Sequence, residues 1–319
     1  MAGSTIVCVS ANPAMDRRLR VASLEVGEVN RAKSACGLAG GKAAHVAMAA
    51  RAMGANASWI GFLGGAIGEE CARQLESLDI EVVAVRTAAS TRVNLEVIED
   101  SGKVTEILEP GTAPTPEETA EFVRVCSERI REAGKASLLV ISGSLPSSIS
   151  PDFYVSLIQA ARNAGARVFI DTSGEALAES VKANPEFVKV NRAEAEALLG
   201  RSLKSSQETT EAAREIIRRG SSSAAITLGK DGLVWIEHRD GPVWIARPPS
   251  AKVVSTVGSG DATLAGFAYA AIRGIVGEEA VRLATACGAA NCAASSPGMI
   301  NFADAQRLLP QIEVQKMTF

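Results

Sequence analysis

The order of apolar segments predicts an α/β protein: a mainly parallel central sheet with helices on both faces, and a small antiparallel sheet beside it. Three features carry this reading. Short β-type runs alternate with longer Ala-rich stretches, and strands separated by helices pair in parallel. Gly54, Gly165 and Gly220 follow helical runs, where a left-handed cap ends a helix, and Pro116 suits a first helical turn. Two stretches lack a helix between their β-type runs, as hairpins and small antiparallel sheets require.

In chain order, Ile6–Ser10 is the first core strand, and Arg17–Val21 and Asn30–Ala35 follow with no helix between them. A helix near Lys42–Met53, a strand at Ser58–Phe62 and a helix near Glu69–Leu78 resume the alternation. Thr91–Glu99 and Lys103–Glu109 form the second helix-free pair, turning through Asp100-Ser101-Gly102. Helices near Pro116–Glu132, Pro151–Ala164, Glu194–Leu199 and Glu208–Arg219 then intersperse with strands at Leu138–Ser142, Arg167–Asp171, Phe187–Val190 and Ala224–Leu228. Ser221-Ser222-Ser223 is a short polar turn, and no repeat or low-complexity linker divides the chain. The reading is one domain over residues 1–319, with the small sheet formed by insertions at about 13–38 and 88–111.

At 47% hydrophobic and 22% charged residues, the 319-residue chain has a globular composition. Its 33 basic and 36 acidic residues leave a formal charge of −3, so no basic surplus points to nucleic acid. Any phosphate must be bound by a few placed residues. The six cysteines contain no Cys-x-x-Cys pair and only two histidines are present, which argues against zinc and fits reduced thiols in the cytoplasm. Thr5–Val9 is too short for a signal peptide, and no apolar run approaches membrane-spanning length.

Ser255-Thr256-Val257-Gly258-Ser259-Gly260-Asp261 is a glycine-rich turn that delivers an aspartate into the start of an apolar helix. Successive backbone N–H groups of Gly258, Ser259 and Gly260 can point at one oxyanion, and the positive helix end adds attraction. An aspartate beside a polyanion is unfavourable unless it has a chemical task, such as accepting a proton from a hydroxyl that attacks a phosphoryl group. The same residues also allow Asp261 to be a plain helix cap.

Before that loop stand, in order, Asn12-Pro13-Ala14-Met15-Asp16, Gly27-Glu28-Val29-Asn30-Arg31, Ala39-Gly40-Gly41-Lys42-Ala43-Ala44-His45-Val46-Ala47 and Gly61-Phe62-Leu63-Gly64-Gly65. From about Val7 to Gly298 the chain resembles the ribokinase-like carbohydrate kinases of the phosphofructokinase B group. Thr91-Arg92-Val93-Asn94 and Thr105-Glu106-Ile107-Leu108-Glu109-Pro110-Gly111 make it most similar to the 1-phosphofructokinase and tagatose-6-phosphate kinase branch. The resemblance implies a ribokinase-like fold whose small sheet is a lid over the sugar site and a clasp in a homodimer. It also implies ATP as phosphoryl donor, with Mg²⁺. Gly40-Gly41 is then a hinge beneath the lid, or a plain tight turn.

On this resemblance Asp261 is the general base, with Gly258, Ser259 and Gly260 donating to the transferred group. Asp16 orients acceptor hydroxyls, Gly40 and Gly41 let the backbone approach the sugar, and Ser144 contacts it. Arg31, Lys42 and Arg92 surround the phosphate of a phosphorylated substrate. Asn191 and Glu194 match an Asn-x-x-Glu motif whose glutamate acts on Mg²⁺ through water, although the same pair reads as a capped helix. Lys189 touches nucleotide phosphate, Thr227, Gly229 and Gly232 border the nucleotide, and Asn291 lines its adenine side; close helix packing explains the Gly288–Asn291 segment as well.

Four residues depart from the branch pattern. Ala43 replaces a third glycine, His45 an asparagine, Glu96 a frequent lysine and Leu108 a frequent asparagine. His45 is expected to enter the sugar space, where a titratable ring changes which hydroxyl pattern fits. The implied activity is phosphorylation of a hexose monophosphate: fructose 1-phosphate, tagatose 6-phosphate or fructose 6-phosphate. A kinase of an unphosphorylated sugar or nucleoside, and a non-catalytic sugar-phosphate sensor, are the rival readings.

Overall fold

The structure, a computed structural model, describes residues 4–111, 113–134, 137–250 and 253–317. The N-terminal elements are β1 (Thr5–Ser10), β2 (Ala14–Val21), β3 (Ser34–Gly40), α1 (Lys42–Ala52), β4 (Asn56–Leu63), α2 (Gly65–Glu76), β5 (Glu81–Arg86), β6 (Arg92–Glu99) and β7 (Val104–Leu108). The middle of the chain forms α3 (Pro116–Ala133), β8 (Leu138–Ser142), α4 (Phe153–Asn163), β9 (Arg167–Asp171), α5 (Gly174–Lys182), β10 (Phe187–Asn191), α6 (Arg192–Leu199), α7 (Ser206–Arg218) and β11 (Ser223–Thr227). Then follow β12 (Leu233–Ile236), β13 (Val243–Arg247), α8 (Ser259–Arg273), α9 (Gly277–Ala293), α10 (Phe302–Leu308) and β14 (Glu313–Met317).

The large sheet has the order β14-β13-β12-β11-β10-β9-β8-β1-β4-β5. Its strands are parallel from β5 to β11, and β12, β13 and β14 extend it as an antiparallel meander. Side chains alternate across the pleat, so β1 sends Ile6 and Cys8 into one core and Val7 and Val9 into the other. Helices α1, α2, α8, α9 and α10 cover the first face, and α3 to α7 the second. Among the described residues no helix is long and apolar enough to cross a membrane. All six cysteines are unpaired.

The second sheet, ordered β3-β2-β6-β7, is built from two separate chain segments. Each segment contributes one antiparallel pair, β2 with β3 and β6 with β7, and parallel pairing of β2 with β6 joins them. The third strand lies later than Asn30–Ala35: Ser34–Gly40 pairs with β2, while Asn30 is held in the preceding loop by hydrogen bonds with Glu25 and Glu28. Small residues in Ser34–Gly40 give weak β propensity, so pairing with β2 decides the register. Elements β5, α5, α10 and the β12–β14 extension are additions to the sequence-based order.

Candidate active site

The carboxyl ends of β8, β10 and β11 and the loops after β1 and β9 open on one cleft of ≈ 590 Å³, roofed by residues of β2, β6 and β7. Sheet edges of this kind gather ligands because the strand ends and helix starts converge there. Helix α8 begins in the cleft wall. Gly258 takes φ +78°, a conformation that favours glycine, and a Cβ there would fall 2.7 Å from the Pro297 side chain. The Ser259 N–H donates to the Thr256 carbonyl and the Ala262 N–H to the Gly258 carbonyl. The N–H groups of Gly260 and Asp261 have no partner among the described residues. Two donors and a positive helix end are therefore available to an anion.

Asp261 is the third residue of α8, whose N-cap is Gly258; its carboxylate is turned to His45, and its side chain lies buried in the cleft wall. Its Oδ2 is 2.9 Å from His45 Nδ1, and His45 Nε2 is 3.0 Å from Asp16 Oδ2. The other Asp16 oxygen accepts from Asn94 Nδ2 at 2.9 Å. Burial by itself would lower the His45 pKa, but the hydrogen bonds and charges of Asp16 and Asp261 push it up to about 10. Burial works to raise the Asp16 pKa, yet His45, Asn94 and the Gly41 N–H together hold it below its ordinary value. Gly40 lies against this carboxylate, where a Cβ would come within 2.2 Å. Gly41, at φ +85°, turns the chain from β3 into α1.

Lys42 Nζ reaches Asp171 Oδ1 at 2.8 Å and Glu194 Oε1 at 3.1 Å. Burial would lower its pKa, but Asp171, Glu194 and Asp261 raise it. Lys189 pairs with the other Asp171 oxygen and approaches the Gly260 carbonyl at 3.4 Å. Asp171 is fully buried; burial favours its neutral form, and the two ammonium groups prevail to keep it well below the ordinary carboxylate range. Glu194 Oε2 accepts from the Asn191 N–H at 2.8 Å while Asn191 Oδ1 accepts from the Glu194 N–H at 2.9 Å, a capping box at the start of α6. Both residues also line the cleft.

The Arg92 guanidinium donates to the carbonyls of Asn12 at 3.0 Å, Pro13 at 3.3 Å and Glu109 at 2.9 Å, and burial lowers its pKa against the pull of Asp16 and Glu109. The Ser144 hydroxyl accepts from Asn12 Nδ2 at 3.2 Å. In the roof, Arg18 and Glu96 form a buried ion pair at 2.6 Å, and Glu106 stands opposite Glu96 on β7. Burial, then the charges of Glu96 and Asp16, raise the Glu106 pKa.

A second cavity of ≈ 600 Å³ shares Thr227, Gly229, Thr256, Ser259 and Gly260 with the first. Gly232, Pro248, Pro249, Thr285, Gly288, Ala289 and Cys292 complete much of its lining. The two cavities meet at the start of α8, the first carrying Asp16, Glu194 and Asp261 and the second a mixed lining of small, apolar and hydroxyl groups with Lys230 and Asp231.

The sequence pattern of the "pfkB family carbohydrate kinase" matches residues 4–303. The chain belongs to the pfkB family of carbohydrate kinases. Its fold is accordingly ribokinase-like. It is 31% identical over 310 residues to 1-phosphofructokinase of Escherichia coli (strain K12), covering 97% of this chain and 98% of that one. With 1-phosphofructokinase of Bacillus subtilis (strain 168) the identity is 28%, over 98% and 100% of the two chains. The crystal structure of phosphofructokinase-2 from Escherichia coli in complex with fructose-6-phosphate superposes with a TM-score of 0.87 at 28% identity, covering 98% of this chain and 99% of that one.

Of the site residues expected in this pfkB kinase, the first cleft collects Asp16, Gly41, Lys42, His45, Arg92, Ser144 and Asp261, with Gly40 directly behind Asp16. Gly258, Ser259, Gly260, Lys189, Asn191, Glu194, Thr227 and Gly229 line the same cleft, and Gly232 the second cavity. Several placements differ from expectation: the Ser259 N–H is taken by the Thr256 carbonyl, and the Arg92 guanidinium by backbone carbonyls. Arg31 is exposed on the loop before β3 and does not line the cleft. Lys42 is engaged by two carboxylates instead of standing open for a phosphate. Asn291 lies outside both linings as a buried brace, its Nδ2 donating to the Val257 carbonyl and its Oδ1 accepting from the Gly298 N–H, both at 2.8 Å. His45 reaches aspartates where a sugar contact was expected.

Asp171, Asn94 and Asn12 are site residues that sequence reasoning passed over. Asp171 ended a predicted apolar strand, and a carboxylate in that position was its available signal; Asn94 lay within the quoted Arg-x-Asn segment.

Proposed function

We propose that this kinase transfers the γ-phosphoryl group of ATP to a hydroxyl of a hexose monophosphate, with Asp261 as general base. The observation that carries the reading is the joining of a buried carboxylate and two unpartnered N–H donors at one helix start, where two cavities meet. The acceptor hydroxyl gives its proton to Asp261 while its oxygen bonds to the γ-phosphorus. The bond from that phosphorus to the β–γ bridging oxygen breaks, and its electron pair leaves on ADP. The helix-end donors face the charge that spreads over the transferred group. The second cavity accommodates the adenosine part, and Lys189 stands near the phosphates.

Among the described residues no group of three or more His, Cys, Asp or Glu side chains forms a metal cage. Glu194 has both oxygens hydrogen-bonded, so it suits a hydrated Mg²⁺ held through water on the nucleotide. Bound there, the ion would neutralise phosphate charge. The 1-phosphofructokinase relatives and the phosphofructokinase-2 complex support a fructose monophosphate as acceptor, with tagatose 6-phosphate the remaining candidate, and Arg92 and Ser144 lie on its side of the cleft. Arg31 would join them only after movement of its loop. Val26, Val29 and Ile107 are exposed apolar residues of the small sheet and its loop, which supports a homodimer clasped through the lid. The unpaired cysteines support a cytoplasmic location.

The test is a coupled ADP-release screen across free sugars and sugar monophosphates. Turnover confined to hexose monophosphates is the expected result. Efficient turnover of free fructose or ribose, with no gain from a phosphate group, overturns the acceptor class.

A further inference from the structure

We propose that His45 is a positioning residue: it ties Asp16 to Asp261 by one hydrogen bond from each ring nitrogen and so aims the free oxygen of Asp261 into the cleft. The proposal rests on the reading of Asp261 as the base. The ring is 5% exposed and its two contacts, at 2.9 and 3.0 Å, point to opposite carboxylates. Two acceptors on opposite sides require two N–H donors. The imidazolium has them, whereas neutral imidazole has one donor and one lone pair that a carboxylate repels. Asparagine, frequent at this position in the resembled branch, carries both of its N–H bonds on one nitrogen and cannot point them in opposite directions.

The surroundings fit a cation at this position. Asp16 comes from β2, with Asn94 of β6 on its other oxygen, and Arg92, Cys71 and Glu106 lie near enough to feel its charge. Asp261 comes from α8. Lys42, on the same helix as His45, has its charge met by Asp171 and Glu194. The segment 294–299 packs on the His45 backbone through Gly298, where a Cβ would fall 2.7 Å from the His45 Cα, and it contains no titratable side chain.

The consequence for the base is geometric. His45 occupies Asp261 Oδ2, and no described residue donates to Oδ1, which is therefore the oxygen presented to the acceptor. The Asn291 brace reinforces the arrangement, since it joins Val257 in the anion loop to Gly298 behind His45. A carboxylate released from such a clamp samples orientations in which Oδ1 misses the hydroxyl, and small misplacements are costly in catalysis.

Two measurements test this. His45 and His238 are the only histidines, so a His45→Asn variant assigns the ring ¹⁵N signals of the parent. At pH 8 both nitrogens of His45 are expected to be protonated, whereas a neutral ring with one bare nitrogen overturns the bridge. In kinetics, His45→Leu is expected to lower kcat at least about ten-fold with the KM for ATP unchanged, and His45→Asn to recover part of the loss. The folded-state pKa is raised, so the intact bridge is present at lower pH and is lost as the pH rises through about 10; the parent's kcat falls there and that of His45→Asn does not. A folded His45→Leu variant with the parent's kcat overturns the proposal. If Asp261→Asn is inactive in the same assay, that result leaves the base reading standing; an active Asp261→Asn removes the base reading itself.

Discussion

Asp261 illustrates how neighbours set the surroundings of one residue. An aspartate near a helix start ordinarily caps or complements the dipole, yet here its carboxylate turns from the backbone to His45 and the cleft. Asp261→Asn keeps the shape and removes the basicity. The expected outcome is a fall in kcat of at least about two orders of magnitude, with the unfolding midpoint and ATP affinity close to the parent. Activity within a few-fold of the parent would remove Asp261 from the base role. Lys42 carries the opposite lesson, because a lysine that sequence places beside a phosphate is here partnered by Asp171 and Glu194.

At the scale of elements, α3 and α6 begin with the same device put to different uses. Thr115 and Glu118 form a capping box at α3 on the exposed surface, and Asn191 and Glu194 form one at α6 within the cleft. Thr115→Ala is expected to lower stability by about 1 kcal/mol in urea unfolding and to leave every KM unchanged. Asn191→Ala is expected to lose a similar amount and also to raise the KM for ATP, because Glu194 then loses the cap that orients it beside Lys42. Equal KM values for ATP in the two variants would restrict Asn191 to a structural cap. The strands of the small sheet bring Asp16, Asn94 and Arg92 over the cleft, and Arg18 and Glu96 pair within it.

For the whole molecule, the large sheet is a platform and the small sheet a roof, and the two cavities meet where α8 begins. The roof leaves Ile107 57% exposed on β7, with Val26 94% and Val29 81% exposed on the loop before β3. Sedimentation velocity is expected to give a dimer for the parent and a shift toward monomer for Ile107→Glu. A parent that sediments as a monomer at all concentrations would exclude the lid clasp.

The resemblance to the kinase family named most of the residues that line the cleft, while the sequence by itself determined the alternation of strands and helices, the glycine loop that opens α8 and the helix-free segments of the small sheet. These are local properties: hydrophobic runs, caps and turn residues act within a few positions of one another. Tertiary structure decided the partnerships. Lys42 and Asp171 are 129 positions apart, and His45 and Asp261 are 216 apart. No periodicity in either segment encodes those distances. They follow from the strand order, which sets the end of β9 and the start of α8 beside α1. The register of β3, the antiparallel β12–β14 extension, the turning of Arg92 to backbone carbonyls and the withdrawal of Asn291 into a brace have the same origin. Buried polar groups such as Asp171 and Asn291 take the partners that the packed sheet and helices bring within reach, because burial without one is costly.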